Sequence, residues 1–218
     1  MKSLITSLLA SMVCCAGALA ADAHHAHHGG DPHAMHRAQG AAAPAAAAVA
    51  AANVELLDTR LLNQDGEPLR FDSEAVGDGV VVIDFVYTRC TTVCPVLSTV
   101  FAQLQERLGP RVGSDVRLVS LSLDPVSDTP ARLKEYAIRY ASGPGWTWLT
   151  GDKPEVDRTL LALGAYVGDP ASHPPMVLVG DVRRGGWTRF VGIASPERIA
   201  ARAEELLAAR HVASKEAP

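Results

Sequence analysis

The sequence predicts an α/β fold in which a central mixed sheet is flanked by helices. Three observations carry that expectation. Val80 to Tyr87 is a nearly continuous apolar run, as in a strand buried on both faces. Leu97, Val100, Phe101, Leu104 and Leu108 follow at helical spacing. Runs of strand and helix character then alternate through residue 163, the pattern of parallel strands joined by covering helices.

In chain order, the first twenty residues read as an export signal. Lys2 supplies the positive end, Leu4 to Leu19 is apolar, and Ala18-Leu19-Ala20 fits a small-x-small cleavage site. Cys14 and Cys15 fall inside this segment. Ser11 and Met12 stand where a lipidated cysteine wants a leucine-type residue, so lipid attachment is not expected. If uncleaved, the segment is an anchor at the short end for spanning a bilayer. Residues 21–52 read as a disordered tether. They hold His24, His25, His27, His28, His33 and His36, then a nearly pure alanine run broken by Pro44. A stretch without large apolar residues cannot offset its ordering entropy.

The folded domain is expected over 53–210. Val54 to Leu57 and Pro68 to Phe71 read as short strands around the turn dipeptide Asp65-Gly66. Val116 to Leu123 is the next strand. A helix then opens with Thr129 as N-cap and Pro130 at its first position, and Gly143-Pro144-Gly145 stops it. Trp146 to Leu149 reads as a strand and Glu155 to Leu163 as a helix. Met176 to Gly180 and Trp187 to Val191 form a hairpin, and Ser195-Pro196 caps a last helix to about Ala209. Residues 211–218 are expected to be flexible. This order, with a cysteine pair just after a buried strand, is the thioredoxin-like plan.

That pair, Cys90 and Cys94, carries the chemistry. An i, i+4 spacing at a helix start would put both sulfurs on one face, next to unpaired N–H groups that stabilise thiolate. As a structural disulfide it would close a loop of five residues, worth only about 2 kcal/mol on chain entropy. The chain is long enough to build a core without such a staple. A tight loop suits a reversible switch or a metal clamp better. Two thiolates suit Cu(I), and a site that also accepts Cu(II) wants a third ligand such as histidine. Outside the tether only His173 and His211 exist. His211 falls in a polar end and reads as solvated. His173 lies in Ser172-His173-Pro174-Pro175, a loop entering a strand that faces the cysteine helix in a thioredoxin-like sheet; simple exposure is its alternative. The net charge of −4 and the scatter of arginines among acids argue against nucleic acid as a partner.

The chain resembles the Sco/SenC family of exported copper proteins over roughly Val54 to Ala209. The blocks that carry the resemblance are Phe85-Val86-Tyr87-Thr88 before Cys90-x-x-x-Cys94-Pro95, Ser122-Leu123-Asp124-Pro125-x-x-Asp128-Thr129-Pro130, Leu133-Lys134-Glu135-Tyr136 and Trp148-Leu149-Thr150-Gly151, in that order. The resemblance implies a thioredoxin-like fold and copper, Cu(I) or Cu(II), held by Cys90, Cys94 and His173. It implies delivery to the copper-receiving subunit of cytochrome c oxidase or to another periplasmic copper carrier. The alternative role is reduction of the oxidase's copper-site cysteines, which would make the chain a thiol–disulfide oxidoreductase before a carrier. A peroxidase-like enzyme is a third class; only Arg89 beside Cys90 keeps it in view. The implied place is the periplasm, with the inner membrane as anchor if the first segment is kept.

Several positions depart from the family's pattern or extend it. The acid that often precedes the histidine is Ser172 here. Pro175 stands where thioredoxins place a cis-proline; a trans proline that starts a strand is the alternative. Asp84 lies six residues before Cys90, where thioredoxins carry a buried acid that moves protons to and from the cysteines; an acid on a solvated edge is the alternative. Asp128 is read as a helix cap and Asp124 as a turn residue, or as a group that supports a copper ligand. The six tether histidines suit weak metal binding, either as a copper store for the cysteine site or as a simple spacer.

Overall fold

The computed structural model describes residues 47–216, with side chains as far as residue 212. The expected export segment and the six tether histidines lie outside the described residues. Among the described residues eight strands form one mixed sheet, in the order Ala48–Ala51 (β1), Gly185–Val191 (β8), Met176–Asp181 (β7), Val80–Val86 (β4), Val116–Ser122 (β5), Trp146–Thr150 (β6), Arg60–Asn63 (β2) and Pro68–Arg70 (β3). At its centre β4 (Val80–Val86), β5 (Val116–Ser122) and β6 (Trp146–Thr150) run parallel. Every residue of β4 is buried, which is why its sequence is an unbroken apolar run.

Helices cover both faces. On one, α1 (Val93–Leu108), α2 (Pro130–Ile138) and α4 (Pro196–Glu216) pack Leu97, Phe101, Leu104, Tyr136 and Ile199 against Val80, Val82 and Val86. On the other, α3 (Lys153–Ala162) and a wide turn at Phe71–Val76 pack Val156, Leu160 and Phe71 against Val81, Ile83 and Phe85. Alternate residues of β4 thus serve opposite cores, as a strand's two-residue period requires. Thr129 caps α2 as expected, its hydroxyl accepting the Arg132 N–H, with Pro130 in the first turn.

On one flank, β7 (Met176–Asp181) and β8 (Gly185–Val191) form the expected hairpin and add antiparallel to β4. On the other, β2 (Arg60–Asn63) and β3 (Pro68–Arg70) pair around Asp65-Gly66, with Gly66 at φ +81° in the left-handed region the turn needs.

Four expectations are corrected. The first strand of the early hairpin is 60–63 and not 54–57. Val54 and Leu56 instead pack on the α3 side, and the Glu55 N–H donates to the Ala162 carbonyl at the end of that helix. The ordered fold begins before Asn53, because Ala48–Ala51 forms β1 along the free edge of β8, with Ala48 opposite Val191. Backbone pairing recruits this strand, and Ala47 is buried beside Gly192. The last helix runs on to Glu216. Finally, Cys90 lies before α1 and not on it.

The strand directions bring four segments to one end of the sheet: the loop after β4 with Cys90, the turn after β5 with Asp124 and Asp128, the His173 loop before β7, and the start of β1. The carboxyl ends of parallel strands are where α/β sheets hold their ligands.

Candidate metal centre

Thr92 is the N-cap residue of α1, but its side chain makes no capping bond. The sulfur of Cys90 fills that role, accepting the backbone N–H of Cys94 at 3.4 Å, with the Thr92 hydroxyl 3.7 Å away. The pair is therefore a loop residue seated on a first-turn residue. Both thiols are free and both residues are buried.

This contact separates the two thiols chemically. Burial pushes Cys90 up, but the N–H and thiol of Cys94 and the N–H and hydroxyl of Thr92 outweigh it and bring the thiol down to about 6. Burial, the hydrogen bond to Cys90 and the charges of Cys90 and Asp84 push Cys94 up to about 12. At neutral pH one sulfur carries the pair's negative charge and the other holds its proton, the division expected of coupled sites.

Asp84 is fully buried beneath the pair, on the β4 face that packs against α1, so the solvated-edge alternative is excluded. Its Oδ1 accepts the Ser120 hydroxyl at 2.5 Å, and Ser120 Oγ also accepts the Trp146 indole N–H at 2.9 Å. Oδ2 has no partner. Burial raises the carboxyl to about 7 against these hydrogen bonds. Ser120 is a contributor that the sequence reading missed; its one signal was a hydroxyl inside an apolar strand.

His173 follows a short 3-10 turn at Pro170–Ser172 that Asp169 caps. Its ring lies 5.4 Å from that of Phe85. It lines, with Cys94, Tyr87, Thr92 and Pro175, a small cleft of about 30 Å³ that is partly open to solvent. Its Nε2 is buried without a partner. Burial lowers the imidazole to about 4, partly opposed by the backbone of Pro174 and Ala165, so the ring is neutral at physiological pH. The Pro175 peptide bond is trans. Among the described residues, no three His, Cys, Asp or Glu side chains converge as a ready metal cage. Cys90 adjoins Cys94, and His173 shares the cleft with Cys94, but the three do not form a closed triad.

Asp124 and Asp128 flank the cysteine loop. Burial opposes it, but hydrogen bonds from Ser127 and from Arg89, at 2.8 Å, hold the Asp124 carboxyl below its usual range. Asp128 does not cap α2; it accepts hydrogen bonds from Thr88 and Ser122. Arg89 is 67% exposed and paired with Asp124. His211 is exposed on α4, beside Gly79 at the opposite end of β4.

The donor set fits copper. It offers one thiolate, a second sulfur beside it, and a neutral imidazole whose buried Nε2 has no other bond, all soft or borderline ligands. A mixed sheet with a polarised thiol pair at its ligand-bearing end defines a thioredoxin-like thiol protein. Within that class the match is narrower: residues 53–208 fit the SCO1/SenC family model, and the chain belongs to that family. It is 36% identical over 128 residues to the SCO1 protein homolog of Bacillus subtilis, a match over 57% of this chain and 65% of that one. The chain spans about half to two thirds of the length of the curated relatives it matches. Among solved structures it is similar to BsSco, a member of the Sco family of cytochrome c oxidase assembly proteins described as having a disulfide switch. That likeness has a TM-score of 0.61 and 26% identity, over 73% of this chain and 96% of that one. It is also similar to copper-bound ScoI of Bradyrhizobium japonicum, with a TM-score of 0.54 and 26% identity, over 68% of this chain and 96% of that one.

Proposed function

We propose that this chain is an exported copper carrier for assembly of the copper centre of cytochrome c oxidase. The observation that carries the reading is the buried, unpartnered Nε2 of His173 in a cleft shared with Cys94. A buried polar atom without a hydrogen bond is costly, and a ligand in that cleft would satisfy it. Cys90 and Cys94 hold Cu(I); His173 completes the set for Cu(II) when its loop moves towards the pair. Copper, the cargo, leaves by exchange onto thiols of the oxidase subunit or of another periplasmic carrier. The copper-bound relative and the oxidase-assembly relative support this reading.

The place is the periplasm, with the inner membrane as anchor if the first segment stays uncleaved. Among the described residues no helix is long and apolar enough to cross a membrane. The tether histidines, His24, His25, His27, His28, His33 and His36, serve as a weak copper store. The chain enters the fold through Ala48, at the end of the sheet where the cysteine loop begins. Deleting residues 24–36 should lower the copper bound per chain and slow loading; unchanged stoichiometry and rate contradict a store.

One set of observations favours a second activity, reduction of a partner's disulfide. The Cys90 thiolate attacks one partner sulfur, and the other partner sulfur leaves as thiolate. Cys94 then gives its proton to ionised Asp84 and attacks Cys90, which releases the second partner thiolate and leaves a Cys90–Cys94 disulfide. The partner gains two electrons and the pair loses them. Asp84 is the proton acceptor because its free Oδ2 lies in the same buried layer.

Competition for Cu(I) against a chromophoric chelator tests the carrier. One tight Cu(I) per chain, lost in Cys90→Ser and in Cys94→Ser, is expected. No copper retention together with rapid reduction of insulin disulfides overturns the carrier in favour of the oxidoreductase.

A further inference from the structure

Six residues, 87–92, join β4 to α1 and carry Cys90. One end of this loop is fixed by the helix that holds Cys94. The other is held by a carboxylate from a distant part of the chain. Asp128 is fully buried. Its Oδ1 accepts the Thr88 backbone N–H at 3.0 Å and the Thr88 hydroxyl at 2.6 Å, and its Oδ2 accepts the Ser122 hydroxyl at 2.7 Å. Both oxygens are used, and their donors come from the cysteine loop and the end of β5.

Neighbouring contacts run the same way. Ser122 Oγ accepts the Asp124 N–H at 3.0 Å, the Leu123 N–H donates to the Val86 carbonyl at 2.8 Å, and Arg89 bridges to Asp124. The turn after β5 is thus laced to the loop on both sides of Thr88. A carboxylate taken wholly out of water is expensive unless hydrogen-bonded. Asp128 is not spent on α2, which Thr129 caps. Two of these three bonds, the shortest among them, go to the residue two positions before Cys90.

We infer that Asp128 is a positioning residue for Cys90: by holding Thr88 it fixes the cysteine loop so that the Cys90 sulfur stays seated on the Cys94 N–H. The inference goes beyond copper carriage and does not depend on it, since it concerns only how the reduced pair is held. Charge-assisted hydrogen bonds to a rigid, buried acceptor are the kind that set a loop's geometry. The consequence is a high effective concentration of one thiol beside the other.

The test is closure of the pair against glutathione, with the full chain and no metal. Two protein thiols are oxidised to the Cys90–Cys94 disulfide while one glutathione disulfide is reduced to two thiols, so the equilibrium constant reads the effective concentration directly. Asp128→Ala should lower it about ten-fold, the effect of losing one or two hydrogen bonds to a charged acceptor, and should speed amide exchange at residues 88–94. Asp128→Asn keeps an oxygen for Thr88 and should stay within about three-fold of the parent. A constant unchanged in folded Asp128→Ala, with only the denaturation midpoint lowered, overturns the inference. So does equal damage in Asp128→Asn and Asp128→Ala. If Asp128→Ala does not fold, Thr88→Val removes only the 2.6 Å bond; a smaller fall in the constant supports the inference, and no fall overturns it. Because no copper is present, loss of the carrier reading and loss of this one are read in separate experiments.

Discussion

The backbone N–H of Cys94 donates to the sulfur of Cys90 across 3.4 Å. Through this contact Cys90 is both the N-terminal cap of α1 and the more acidic thiol of the pair. With Cys90 brought to about 6 and Cys94 pushed to about 12, only Cys90 is a thiolate at neutral pH. Iodoacetamide at pH 7 should therefore label Cys90 first, as peptide mapping would show. The rate followed against pH should have its midpoint near 6. A midpoint above 8, or equal labelling of both residues, contradicts the assignment.

Asp84 makes stability fall with rising pH. Its carboxyl titrates near 3.8 in an unfolded chain and at about 7 in the fold, so the folded state binds the proton more tightly between those values. The stabilisation is complete below pH 4 and is lost as pH rises through 7. The ionised form costs on the order of 4 kcal/mol by that difference. Urea denaturation should show Asp84→Asn with a flatter pH profile and greater stability than the parent above pH 7. Ser120→Ala, which removes the one side-chain donor to Asp84 among the described residues, should extend the decline to higher pH. An unchanged slope in Asp84→Asn contradicts the burial argument.

The central elements were legible because burial leaves a strong pattern. The apolar run of Val80 to Val86, the helical spacing from Leu97 to Leu108 and the Thr129-Pro130 cap all appear in the structure. Elements held by backbone pairing alone were not legible. Ala48–Ala51 has no large side chain to announce a strand, and only the free edge of β8 makes it one. The early hairpin was misplaced because Val54-Glu55-Leu56 alternates as a strand does, whereas the register is set by pairing across Asp65-Gly66. At the site, the cysteine spacing suggested one helical face, but the helix starts at Val93 and the contact is a cap. Asp128 lies next to a helix start and so reads as a cap in sequence. Its true partner, Thr88, is forty residues away, and no local pattern reports such a pairing.

Gly180 tests the packing away from the site. A Cβ at this position would run into the indole of Trp187, which is buried on β8. Gly180→Ala should cost about 2 kcal/mol as overpacking, seen as a lower denaturation midpoint, with copper capacity unchanged because the residue lies at the far end of β7 from His173. A midpoint equal to the parent's contradicts the tight contact.

The neutral ring of His173 gives copper binding a defined acid limit. Burial holds the imidazole at about 4, so between pH 5 and 8 the nitrogen proposed as a ligand needs no proton removed. Cu(II) affinity in that range should follow the thiols, falling as Cys90 protonates near 6. The titration of the ring itself, followed by NMR in the metal-free chain, should have its midpoint near 4; a midpoint at an ordinary histidine value contradicts the buried setting of His173.

Cys90, Cys94 and His173 together make the proposed copper site. Visible absorption of the reduced full chain titrated with Cu(II) tests it most directly, because tether histidines give no thiolate-to-copper charge transfer. An intense visible band that saturates at one copper per chain is expected, abolished in Cys90→Ser and Cys94→Ser and lost or displaced in His173→Ala. No band in the parent chain, or a band that His173→Ala leaves untouched, contradicts the claim.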